Sequence, residues 1–335
     1  MADKLSSLLP KAGVMMKKLT GNITIAFALS YLVLCSIVSA DYPAEVEIST
    51  KHQHIKVGEP LIVEVTYRFE KPQVSKTNEF YQKMGSRSSI QIKRDEAGIL
   101  TQHYYDSVGP GTLYLQDTKG LVYACDSLLF YNPFENRLIF DKPGIYVVTV
   151  RRTREIISNT LHITVEPAND LNKRVLSLLS DPNDYFFLEH GSHEDPNKRS
   201  ERMSHLRLIV EQCEGTLYAK WAAARLGLEY FEDFHRKHPS FIKFKAKLQQ
   251  GKIKETLFDK AHMYLAAGAK LPDEFPIREK VIFQLGRTEF IKNNYETVFS
   301  LIDEMGAKYP KGEYGKRMSG GREELQRIKK REEDQ

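Results

Sequence analysis

The chain carries 335 residues but only three cysteines and a single tryptophan. It has no HExxH, no GxSxG, no Walker loop and no paired CxxC. Those gaps remove the local signatures of zinc proteases, serine hydrolases, P-loop nucleotide enzymes and zinc ribbons. An excess of one charge is missing too. Formal net charge is +5, and four lysines with one aspartate lie in the first forty residues. Beyond residue 40 there remain 45 basic and 43 acidic residues, which leaves no electrostatic case for nucleic acid. Hydrophobic residues at 41% and charged residues at 28% give a globular composition, and the length is enough for two domains of ordinary size.

Long apolar runs are absent except one. Ile23 to Ala40 contains no charge and follows Lys17-Lys18. Val38-Ser39-Ala40 then supplies the short residues a signal peptidase needs. Eighteen residues reach about 27 Å as a helix, slightly short of a bilayer core. Residues 1–40 are therefore expected to be a cleaved secretory signal, with translation starting at Met16 as a variant and a mature N-terminus at Asp41. The expected location is secreted or periplasmic. The alternative is an inner-membrane anchor over residues 23–40. Cys35 leaves with the signal. Cys125 and Cys213 then remain, too few for a disulfide scaffold; they are expected as buried thiols, with an interdomain bridge as the alternative.

Leu61 to Phe69 alternates with period two, which predicts a half-buried antiparallel strand behind the turn Val57-Gly58-Glu59-Pro60. Shorter strands are expected at 89–93, 112–115, 121–124 and 137–140. Asp141-Lys142-Pro143-Gly144 is a turn, and the strands 145–150 and 160–165 close the series. Several short strands between Gly/Pro turns argue a β-sandwich over residues 41–167.

Phe140-x-x-Pro143-Gly144-x-Tyr146-x-Val148 resembles the tyrosine corner of immunoglobulin-like and fibronectin-type sandwiches. The resemblance implies a buried Tyr146 whose hydroxyl bonds to backbone beside the corner. The turn at 57–60 is similar to the approach to the second strand in bacterial immunoglobulin-like domains. The intersheet disulfide of antibody domains is absent, because Val148 stands at one cysteine position and the 61–69 strand has no cysteine.

After Glu166-Pro167 the period changes to that of helices. Helical runs are expected near 175–179, from Pro182 to Gly191, and over 200–213, 216–237, 254–268, 277–292 and 295–308, with a polar loop at 192–199. Leu226-Gly227-Leu228-Glu229-Tyr230 resembles the L-G-x-x-Y element of tetratricopeptide repeats. Leu285-Gly286 opens a second copy, with Val298, Ile302 and Pro310 at later repeat positions. Glu289 and Pro239 depart from the pattern, so the resemblance is to a degenerate array over 168–318. Trp221 is expected in its core. Residues 319–335 read as a charged, frayed, solvated helix. The fold class is thus all-β followed by all-α, in two separately folding units.

For chemistry, the densest cluster is His190-Gly191-Ser192-His193-Glu194-Asp195, which the sequence reads as a solvated loop. His52 and His54 alternate on a strand and would face one side. Tyr131 and Phe134 flank a turn and are candidate binding aromatics. The leading expectation is an exported, non-catalytic protein that binds a protein partner, with no cofactor and no metal. The membrane enters only through the N-terminal segment, if that segment stays uncleaved. Two alternatives stay open: a carbohydrate-binding module using the loop aromatics, and an enzyme or metal-binding protein centred on His190 and His193.

Overall fold

The computed structural model describes residues 44–69, 89–94, 100–104, 114–115, 122–132, 135–151, 156–191, 195–250, 256–310 and 312–334. The leader at 1–40, Phe134 and His193 lie outside them.

Strands come first and helices follow. The strands are β1 (Glu45–Ser49), β2 (His54–Lys56), β3 (Leu61–Arg68), β4 (Ser89–Arg94), β5 (Leu100–Tyr104), β6 (Tyr114–Leu115), β7 (Val122–Leu129), β8 (Tyr131–Asn132), β9 (Arg137–Leu138), β10 (Gly144–Arg151) and β11 (Leu161–Glu166). They form a four-stranded sheet in the order β1-β3-β7-β6, a five-stranded sheet in the order β2-β11-β10-β4-β5, and the short pair β8-β9. All pairings are antiparallel except β2 with β11. Alternation explains how the two larger sheets share one core. Leu61, Val63 and Val65 of β3, Ile90 and Ile92 of β4, Tyr146, Val148 and Val150 of β10, and Ile163 and Val165 of β11 all point into it.

Strand β7 runs five residues past its expected end. Asp126 and Ser127, inside that extension, are both paired with β3. His52 precedes β2, so it does not share a strand with His54. Tyr146 is 4% exposed, and its hydroxyl donates to the Lys142 carbonyl at 3.0 Å. Phe140 packs edge-on against its ring at 5.2 Å. Pro143 precedes Gly144, whose φ of +146° opens β10 in a region that favours glycine.

The helices are α1 (Asp170–Leu178), α2 (Pro182–His190), α3 (Pro196–Gln212), α4 (Leu217–Lys237), α5 (Phe241–Gln249), α6 (Thr256–Gly268), α7 (Arg278–Ile291), α8 (Tyr295–Lys308), α9 (Glu313–Gly320) and α10 (Arg322–Glu333). Helix α3 starts inside the expected loop, because Asp195 caps it by accepting from Asn197 N–H and Pro196 fits the first turn. Helix α4 lies along α6 at very short range. A Cβ on Gly227 would come within 2.7 Å of the Leu265 backbone nitrogen, and one on Gly268 within 2.4 Å of the Ala224 Cα. Leu226 is buried beside this crossing, and Tyr230 stacks on Tyr264 at 5.7 Å. Leu285 and Gly286 sit on α7, with Val298 and Ile302 buried on α8 and Pro310 exposed just beyond it. The last helix is anchored at both ends. Its Arg322 pairs with Asp303 and its Glu332 with Lys245.

The two parts meet in a shared packing layer. Phe130 and Tyr131 follow β7 but belong to the helical core. Phe130 packs against Trp221 at 4.8 Å and Tyr185 at 5.6 Å, and Phe275 closes on the other side of Trp221 at 5.0 Å. Ile62, Leu128 and Leu138 also lean on that core. The turn at 57–60 is the second contact. Gly58, with φ of +82°, lets Leu176 of α1 come so close that a Cβ would sit 2.7 Å from it. The Gly58 carbonyl accepts the Tyr218 hydroxyl of α4, and Glu59 accepts from Asn172 of α1 at 2.8 Å.

Two outcomes are expected. Tyr146→Phe leaves the Lys142 carbonyl without its donor and should cost about 1–3 kcal/mol in urea unfolding. Phe130→Ala should cost about 3–5 kcal/mol. Because Trp221 is the only tryptophan, its fluorescence and the helical circular dichroism should shift together in that variant.

Candidate functional site

A cavity of about 570 Å³ opens where the strands and helices face each other. Its β wall consists of residues 49–52 together with Ile62 and Glu64 of β3 and Asp126 of β7. Glu64 and Asp126 are direct register partners, so both carboxyls emerge on the cleft side of the sheet. The helical wall comes from the α6–α7 connection at 273–276, from Glu279, and from residues 307–310 and Gly312.

The walls are tied by ions. Glu274 receives both Lys51 Nζ and His52 Nε2 at 3.3 Å. Asp273 receives Arg278 at 2.8 Å and Lys308 at 2.9 Å. Burial pushes both carboxyls up. The Lys308 bond and the Arg278 charge more than reverse this for Asp273. For Glu274 its own backbone N–H, Lys51 and His52 do so, and both groups end below the usual carboxylate range. Glu279 accepts the Tyr314 and Gly315 N–H groups at 3.0 Å each, which caps the start of α9. Five carboxylates and two lysines therefore line the cleft, with Phe275, Pro276, Ala307 and Pro310 as apolar patches between them. This arrangement can seat a ligand with both polar and apolar parts.

The residues singled out in the sequence are dispersed. Tyr131 is 6% exposed, stacks on Tyr185 at 5.6 Å and donates its hydroxyl to Asn136. It is a junction residue and not a solvent-facing aromatic, which corrects its reading as a binding platform. Burial pushes the neighbouring Tyr185 hydroxyl up to about 12, which keeps it protonated. His190 lies against Phe186 at 4.7 Å and beside Glu189 at 3.6 Å. Among the described residues no three His, Cys, Asp or Glu side chains could hold a metal ion. Cys213 is a buried free thiol. No described helix is long and apolar enough to cross a membrane.

Sequence reasoning missed the cleft residues. Only the paired polar positions of β3 hinted at them, and they read as a solvated face. It also missed Arg225, which is buried and bonds the carbonyls of Leu188 and Glu189 at the end of α2. Glu189 beside it is pushed up by burial to about 8, against the opposing Arg225 charge.

No protein-family model matches the chain, and no curated protein matches it. Among solved structures, a polysaccharide lyase is similar at 11% identity with a TM-score of 0.20. The match covers 79% of this chain and 41% of that one, so the chain spans less than half of that protein's length. A likeness of that size carries no argument about fold or site.

Glu189 gives a pH prediction. Its folded value lies above the unfolded one, so the native state holds the extra proton between pH 4.5 and about 8. Stability from this group is full below pH 4.5 and is lost as pH rises towards 8. Glu189→Gln should remove that loss. Urea unfolding at pH 9 should then find the variant more stable than wild type by about 2–4 kcal/mol, with a smaller difference at pH 5.

Proposed function

We propose that the protein is an exported, non-catalytic binding or scaffold protein that seats a segment of a protein partner in the cleft between its two parts. The strand part is read as an immunoglobulin-like sandwich. Two sheets over one core and the Tyr146 corner support this reading. The helical part is read as a degenerate tetratricopeptide-like array. The close α4–α6 crossing at Gly227 and the α7–α8 hairpin after Leu285-Gly286 support that one. Export rests on the charge-free run at 23–40 ahead of Val38-Ser39-Ala40.

One observation carries the proposal: a cavity of about 570 Å³ walled by both parts, with fixed charges on each wall. Ligand sites of a few hundred Å³ favour such domain junctions. The mixture of ionised and apolar lining suits a peptide segment. Both kinds of scaffold bind partners in many unrelated settings, so the cleft and not the fold supports the reading.

Photo-crosslinking in the producing cell tests it. A photoreactive residue placed at Thr50 or at Ala307, on opposite walls, should capture the same protein. The control is Ile242, which is 73% exposed on α5 and away from the cleft. Failure of both cleft positions to yield an adduct, or capture of that protein equally from Ile242, would overturn the proposal.

A further inference from the structure

The C-terminal helix fills a site that earlier helices build. Lys245 of α5 is 4% exposed, a rare place for an ammonium unless it is paired. Its Nζ lies 4.3 Å from the ring centre of Phe290 on α7 and 4.9 Å from that of Tyr295 on α8. It donates to the Tyr295 hydroxyl at 2.8 Å. The acid that completes the box is Glu332, 87 residues further along the chain. Both Glu332 oxygens accept from Lys245, at 2.8 and 3.1 Å, and one also accepts the Tyr295 hydroxyl at 2.7 Å. Burial pushes the Glu332 carboxyl up, and these bonds more than reverse it, leaving the group below the usual range.

The helix that brings Glu332 is lightly held. Most of α10 is exposed, and its half-buried stripe includes Leu325 and Ile328. With Glu332 these fall at i, i+3 and i+7, the spacing by which a helix lies in a groove. At its other end Arg322 pairs with the exposed Asp303 and lies over Phe299 at 5.6 Å. Gly320 and Gly321 join α10 to α9, and a Cβ on Gly320 would meet nothing within 4 Å. An element with so little buried apolar surface opens at low cost.

We propose that Lys245, Tyr295 and Phe290 form a carboxylate-binding site for an amphipathic helix of a partner protein that presents one carboxylate there, and that α10 is a built-in competitor occupying it. When α10 lifts, the ammonium keeps its aromatic box but loses its acid. The open site then presents two donors side by side, the Lys245 ammonium and the Tyr295 hydroxyl, so an incoming carboxylate is the group that matches them. A partner helix with two apolar residues and an acid at i, i+3 and i+7 reproduces what α10 supplies. Occupancy by α10 lowers the apparent affinity for that partner in proportion to the closed fraction. This site is separate from the cleft, and it stands or falls without it.

The test uses the full chain and a labelled synthetic peptide of residues 319–335 as the probe. Fluorescence anisotropy should show the peptide binding the Glu332→Ala chain at least tenfold more tightly than wild type, since the competitor has lost its acid. A peptide carrying Glu332→Gln should lose at least tenfold on the same chain. Lys245→Met in the Glu332→Ala chain should abolish binding at unchanged helical circular dichroism. If that variant does not fold, Tyr295→Phe, which deletes only the hydroxyl, should weaken peptide binding instead. Equal affinity for the wild-type and Glu332→Ala chains, or equal affinity of the two peptides, overturns the proposal. A concentration-dependent wild-type dimer that is lost on Glu332→Ala substitution also overturns it, because the occupant is then the tail of a second copy.

Discussion

The pose of the two parts depends on one aromatic contact. Phe130 leaves the strand part and enters the helical core, where Trp221 takes its edge at 4.8 Å. Aromatic rings bury more area than any aliphatic side chain and hold preferred edge-to-face geometry. Tyr185, Tyr218 and Phe275 surround the pair, so the ring cannot turn out without opening a cavity in the helices. The Tyr218 hydroxyl then fixes direction by bonding the Gly58 carbonyl. Apolar area supplies the attraction and the hydrogen bond supplies the register. Neither alone orients one part on the other.

The cleft follows from that anchor. Once Phe130 is seated, the outer face of β3 and β7 turns towards the α6–α7 connection. Ile62, nearer the anchor, packs on the helical core, whereas Glu64 and Asp126 line the cleft. Glu274 ties the far rim to Lys51 and His52. Those pairs include exposed partners at 69% and 63%, so they contribute little to stability and are screened by salt. Their role is to join the two rims of the cleft. The aromatic end is tight and the ionic end is weak.

Local chemistry was legible in the sequence where a single stretch carries it. Tyr146 could be read from Pro143-Gly144, because a corner is built within four residues. Gly227 could be read as a close helix approach, because only glycine admits the Leu265 backbone at 2.7 Å. Features assembled from distant segments could not be read that way. The cleft needs residues near 50, 64, 126, 274 and 308 together, and none of those stretches looks unusual alone. Tyr131 shows the same limit from the other side. Its turn context predicts exposure, and only the arrival of Tyr185 from a later helix buries it.

The C-terminal segment reads as a solvated helix and most of α10 is exposed, but its Glu332 anchor is hidden for a physical reason as well. Its composition is almost wholly polar, and polar composition predicts a solvated helix because apolar burial usually holds helices in place. Here a buried cation substitutes for apolar area. Lys245 lies among Phe290 and Tyr295, where its desolvation must be offset, and Glu332 offsets it. The attraction originates in the receiving site and not in the helix that answers it. A reading that scores each segment on its own residues misses what anchors such a helix. The same holds at Gly58, where a turn that looks merely local is held from outside by Leu176, Asn172 and Tyr218. In both places the cause lies in the partner surface. Strand and helix periods can therefore be correct over each part while the contacts that set the parts against each other stay invisible.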